Sequence, residues 1–243
     1  MQSYKVILQL FYTIILSLSV SLNLKAQSAL PEGTLIYKAD TIGRLEAFPA
    51  AYIVSQVVVY KKLDQLRIEI WLVNKFNKAD AQKDIHIRNK QGTYMFIESS
   101  DSIMAASTNF AMFMSYEDEK LLQAERAMRG LSSSYKVDKV IQNVRWLDLP
   151  AQRAIVKGGP KNEESEMILT NAVDIPISSV FDSVLGKLPG TPLQFIVYER
   201  GWMTRLTADK LKLEKVSDTL FQVNPKRKIM SLDEMIQGIS DFK

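Results

Sequence analysis

The sequence predicts a mainly β fold of the α+β class: short strands that pair antiparallel into one sheet, curved or nearly closed, interrupted by three helices. Three observations carry this expectation. Apolar residues recur at every second position over most of the chain after its first segment, the pattern of strands with one face buried and one face in water. The alternating stretches follow one another through short connections, which suits antiparallel neighbours. Each helical stretch opens on a serine followed three positions later by an acid, a reciprocal cap for the first backbone donors.

Residues 1–26 place Lys5 before an apolar run from Val6 to Leu24 and end on Lys25-Ala26. This is the layout of a secretory signal peptide, with cleavage expected after Ala26. Leu24 stands where a small residue is preferred, and the run is about long enough to span a bilayer, so an uncleaved anchor is the competing reading. Cleavage would leave 27–243 as a single domain, secreted across the inner membrane into the periplasm and not integral to a membrane. It would also lower the 31 lysines and arginines to 29 against 27 acids, because residues 1–26 hold two lysines and no acid.

The clearest strand covers 65–73, where Leu66, Ile68, Ile70 and Leu72 alternate with Arg67, Glu69 and Trp71. Its hairpin partner is 53–61. Further strands are expected over 33–39, 84–89, 93–98, 135–144, 145–157, 166–174, 191–199, 203–213 and 214–223. Ser115 and Asp118 open a helix over 117–129 that Gly130 ends. Ser179 and Asp182 open a short one with Phe181, Val184, Leu185 and Leu188 on one face, stopped by Pro189-Gly190. Ser231 and Glu234 open the last, carrying Leu232, Met235, Ile236 and Ile239. Neither a repeat nor a linker divides the chain, and 74–83 and 157–165 read as loops.

Residue chemistry gives no reaction. The chain has no cysteine and one histidine, which removes disulfides, thiolate metal sites and cysteine nucleophiles. His86 alternates with Arg88 and lies opposite Ile85 and Ile87 in sequence, so it is expected on a solvated strand face. Gly158-Gly159-Pro160-Lys161 lacks the spacing of a phosphate loop, and Glu163, Glu164 and Glu166 lack the spacing of a calcium loop. Glu117, Asp118 and Glu119 suit a helix N-terminus. No Gly-x-Ser-x-Gly elbow is present. Lysines and arginines are interleaved with acids, and the one cluster, Lys226-Arg227-Lys228, reads as a solvated loop, so no nucleic-acid partner is expected. Catalytic residues, metal and cofactor are all expected to be absent.

The unusual stretch is soft and apolar. It runs from Ile103 to Met114 and holds Phe110, Met112, Phe113 and Met114, with Met95 before it and Met128 after it. Methionine adapts its shape, so such a surface either fills gaps beneath a helix or lines a cavity for variable chains.

Five pieces in order carry a resemblance: Gly33-Thr-Leu-Ile-Tyr-Lys38, Tyr60 to Glu69, Ile87 to Tyr94, Leu188-Pro-Gly-Thr-Pro-Leu-Gln-Phe195, and Thr207 through Phe221-Gln-Val-Asn-Pro225. Together they resemble secreted Bacteroidetes proteins placed in the LolA-like family of periplasmic lipoprotein carriers. The resemblance implies a strongly curved antiparallel sheet forming an open half-barrel, with helices covering an apolar concave face. It also implies a non-enzymatic carrier of a hydrophobic ligand, a lipid or the acyl chains of a lipidated protein. The expected lining is then Leu66, Ile68, Ile70 and Leu72, with Phe110, Met112, Met114, Phe195 and Val197. The alternative is a cell-envelope interaction module without a ligand cavity, which binds a protein partner through a sheet edge.

Overall fold

The computed structural model describes residues 32–44, 50–100, 109–128, 136–158, 163–175, 177, 188, 190–199, 201–234 and 237. Among the described residues twelve strands form one sheet. β1 (Glu32–Arg44), β2 (Tyr52–Lys62), β3 (Gln65–Asn74), β4 (Ala81–Asn89), β5 (Gly92–Ser99) and β6 (Phe110–Ser115) pair successively. β7 (Lys136–Trp146), β8 (Leu149–Gly158), β9 (Glu163–Thr170), β10 (Thr191–Glu199) and β11 (Trp202–Lys212) form a second antiparallel series, which joins the first where β11 pairs with β1. β12 (Lys228–Ser231) lies parallel to β6, so β12 and β7 are the two edges and the sheet is not closed.

A side chain that crosses the inner face shows how far the sheet rolls. Trp146 Nε1 of β7 donates to Ala208 O of β11 at 2.8 Å. Those strands are four positions apart, about 19 Å in a flat sheet at the usual strand spacing. Inside the roll lies the main core: Leu35, Tyr37, Val57, Val59, Leu66, Ile68, Ile70 and Leu72 from one half, and Val156, Met167, Leu169, Leu193, Phe195, Val197 and Leu206 from the other. Tyr37 and Phe195 meet edge to face at 5.9 Å, and the Tyr37 hydroxyl donates to Pro192 O at 2.8 Å. A buried phenol with a carbonyl partner avoids the cost of an unpaired hydroxyl.

A second core covers the outer face of β4–β6. Ile85, Ile87, Phe96 and Ala111 pack against Val216 and Phe221. The stretch 214–223, expected as a strand, is instead an irregular strap with a short 3-10 helix, Asp218–Phe221. The Ser217 hydroxyl accepts from Thr219 N and starts that turn, and a turn lets Val216 and Phe221 reach the same apolar surface. Four polar contacts hold the strap. Val216 N donates to Glu32 Oε1 at 2.5 Å, and Lys62 Nζ reaches Asp218 Oδ1 at 2.7 Å and donates to Val216 O at 3.2 Å. Arg67 Nη1 donates to Leu220 O at 3.0 Å, and just beyond the strap the Arg227 guanidinium lies over the Phe96 ring at 4.5 Å.

Several expected elements shift. The stretches 135–144 and 145–157 are one hairpin whose turn falls at Leu147 and Asp148, both with positive φ. That turn type normally advertises itself with Asn or Gly, so these residues do not signal it. β6 and β12 were not expected as strands. Ser115 and Asp118 form the expected reciprocal cap, with Ser115 Oγ to Asp118 Oδ2 at 2.7 Å and Asp118 N to Ser115 Oγ at 3.1 Å. It opens α1 (Tyr116–Met128). Ser231 and Glu234 repeat the arrangement at 3.1 Å and 3.2 Å.

Among the described residues no helix covers the concave face. α1 is tied to the inner face at its first turn, where Glu119 accepts from Arg88 Nη2 at 2.8 Å and from Thr93 Oγ1 at 2.6 Å. Beyond that turn Leu121 is 69% and Met128 83% exposed, because α1 carries too few apolar residues on one side to seal the sheet. Residues 1–26 and the helix expected after Ser179 lie outside the described residues. No described helix is long and apolar enough to cross a membrane.

Candidate functional site

The site is built from rows of side chains that stand opposite one another across the sheet. One row runs Leu35, Val59, Ile68, His86, Met95 and Met112 over β1 to β6. A second runs Val57, Ile70, Asp84 and Ile97 over β2 to β5. Side chains directly opposite in an antiparallel pair share a face, so all of these belong to the inner face that holds the main core.

Along both rows packing gives way to space. Ile68 and Ile70 are buried in the core, whereas His86, Asp84, Met95 and Met112 are only half-buried. A cavity of about 240 Å³ opens there, lined by Asp84, His86, Met95, Ile97, Phe110 and Met112, with Ile85 and Phe96 in its floor. The wall is mostly apolar, with its polar groups on β4.

The expected lining therefore divides. Phe110 and Met112 reach the cavity. Met114 stands opposite Thr93 at the β6 end near the start of α1. Leu66, Ile68, Ile70, Leu72, Phe195 and Val197 lie on the same inner face but in its packed part. Met95, which the sequence placed with the soft stretch as gap filling or cavity lining, lies in the wall, and Asp84, His86 and Ile97 complete it without having been expected there.

His86 corrects the sequence reading. It stands on the inner face between Ile68 and Met95, not on a solvated one, because the strap covers the other face and makes Ile85 and Ile87 its core residues. Burial pushes its imidazole down to about 4, against the opposing pull of the Asp84 carboxylate. Asp84 is oriented by Gln82, whose Nε2 donates to Oδ1 at 2.8 Å. Arg88, next along the face, is neutralised by Glu119 at 2.8 Å.

A lowered imidazole pKa sets a pH dependence. The unfolded chain binds more protons than the folded one between about 6.5, the ordinary histidine value, and the folded value. The neutral imidazole's contribution is thus fully present above about 6.5 and is lost as pH falls towards about 4. We expect an NMR titration of the single imidazole to give a midpoint well below 6.5, and His86→Gln to flatten the stability profile between those values. A midpoint near 6.5 would place His86 in water.

Among the described residues no group of three or more His, Asp or Glu side chains could hold a metal ion. No family model matches the chain, and no curated protein is similar to it.

Proposed function

We propose that this chain is a non-enzymatic binding and carrier protein of the LolA-like kind, exported from the cytoplasm, that takes a hydrophobic ligand on the inner face of its open sheet. The ligand class is a lipid or the acyl chain of a lipidated protein. The observation that carries this reading is the soft apolar cavity bounded by Met95, Phe110 and Met112, at the margin of the packed inner face. Moving an acyl chain from water into such a wall contributes about 0.8 kcal/mol per methylene. At the small end of ligand pockets, the cavity suits one chain end rather than several chains. The reading assigns no reaction and needs none.

Native mass spectrometry of the protein purified from its host envelope, with lipid extraction, tests it. A co-purifying lipid or lipoprotein is expected. A clean apo mass, with no uptake of an uncharged fluorescent acyl probe, would overturn it. We also expect Met112→Glu to weaken uptake of that probe about tenfold while leaving the fold intact, since a charge in the wall must be desolvated when the chain enters.

A second reading, an envelope interaction module, is favoured by the β7 edge, where Val140 and Ile141 are exposed. Two irregularities in its pairing with β8 break that edge, at Val137/Lys139 and Val140/Gln142. Bulges of this kind discourage strand addition, so the cavity carries the stronger case. An envelope protein captured through β7 would reverse the order.

A further inference from the structure

We propose that His86, Met95 and Met112 form a site for a soft monovalent metal ion of the Cu(I) class on the wall of the β4–β6 cavity. It goes beyond the carrier reading and does not rest on it. The three residues stand side by side on successive strands: His86 pairs with Met95 across β4 and β5, and Met95 with Met112 across β5 and β6. All three line one cavity, and each is only half-buried. Strand spacing puts His86 and Met112 about 10 Å apart at Cα, with Met95 midway. An imidazole and a thioether leaning in from the two sides, with a second thioether between them, can meet one ion, because methionine is unbranched and adapts its shape.

The donor set selects the ion. Thioether sulfur is a soft donor that favours Cu(I), imidazole is compatible with it, and neither carries a charge. A monovalent ion loses less hydration than a divalent one on entering an apolar wall, and Zn(II) wants thiolate, further imidazoles or carboxylate. The chain has no cysteine and no second histidine. A search for clustered His, Asp and Glu passes over this set because two of its three donors are methionine sulfurs. His86 is ready to serve. Its ring nitrogens make no hydrogen bond with any described residue, and burial keeps the imidazole uncharged near neutral pH, so no proton has to leave before a metal binds. Ile68, buried opposite His86 on β3, closes the row on that side. Arg88, two residues along the same face, is already paired with Glu119. The Phe110 ring in the same wall adds a surface that attracts positive charge.

The test is titration of tag-free protein at neutral pH with Ag(I), a redox-inert stand-in for Cu(I), while NMR follows the one imidazole of the chain and the methionine methyls. The expected result is saturation at one ion per protein, with His86 and two methionine methyls shifted together and no such shift with Zn(II). Without oxygen, the protein is expected to draw Cu(I) from a chromogenic chelator to the same stoichiometry. Met95→Leu and Met112→Leu keep the volume and apolar character of the wall. Each is expected to weaken Ag(I) binding at least about tenfold, the smaller loss produced even by outer partners of a metal site. Met128→Leu, at an exposed methionine on α1, is expected to change nothing. The two wall variants should still take up the uncharged acyl probe within about twofold, so failure of the metal site and failure of the carrier reading are told apart. Ag(I) binding that leaves His86 unmoved, Zn(II) bound as tightly as Ag(I), or unchanged affinity in both wall variants would overturn the proposal.

Discussion

Glu69→Ala is expected to lower stability by about 3–5 kcal/mol, the cost of leaving a buried charge without its partner, and so to remove a large part of a typical domain's margin. Glu69 Oε1 holds Arg67 through Nε at 2.8 Å and Nη2 at 2.7 Å. Both side chains are almost enclosed, 10% and 6% exposed, beneath the strap that Arg67 grips through Leu220 O. Without Glu69 the guanidinium stays under the strap with a neutral carbonyl for company. Arg67→Ala strands the carboxylate beside Tyr60, whose phenol is pushed up first by burial and then by Glu69, against the pull of Arg67. Replacing the pair together, Arg67→Met with Glu69→Leu, removes both charges and is expected to recover all but about 1–2 kcal/mol. Urea denaturation reads these differences, and hydrogen exchange at Val216 and Phe221 reads the strap directly. A Glu69→Ala cost below about 1 kcal/mol, the range of exposed ion pairs, would mean that the pair is not sealed by the strap.

That strap explains why the sequence was legible in its strands and not in its faces. Alternation in 65–73 located β3 and identified Leu66 to Leu72 as an inward row, because a one-residue error would have turned every apolar side chain to the wrong side. The same rule failed one strand later. In β4 both faces are buried to different degrees, Ile85 and Ile87 under the strap and His86 beside a cavity. Alternation reports which face is more apolar, and cannot say that the less apolar face borders a cavity. The missed strands have a related cause. β6 reads as a continuous soft run, Phe-Ala-Met-Phe-Met-Ser, with apolar residues facing both ways, so no period-two signal exists. β12 is four residues long and finds its place only because β6 leaves an edge open. The caps at Ser115 and Ser231 were legible because they are local, complete within three residues.

Ile70 gives the sharpest test of the inner face, because the sign of an introduced charge should matter. Ile70 is buried, with Val57 opposite on β2 and Asp84 opposite on β4. Ile70→Glu places a carboxylate in the packed core and directly beside a second one. The desolvation of an unpaired charge and the like-charge pair act together, and a loss of about 4 kcal/mol or more is expected, among the largest a single substitution produces. Ile70→Lys is also destabilising, but its stem can lie along the apolar row while its ammonium meets Asp84. It is expected to retain at least about 1 kcal/mol more than the glutamate variant. In an Asp84→Asn background the gap between the two should close, since the partner that distinguishes them is gone. Urea denaturation of the four variants measures this, with uptake of an uncharged acyl probe followed in parallel. A folded Ile70→Glu protein that takes up the probe unchanged would remove Ile70 from the inner face, and with it the register that brings Asp84 and His86 to the cavity wall.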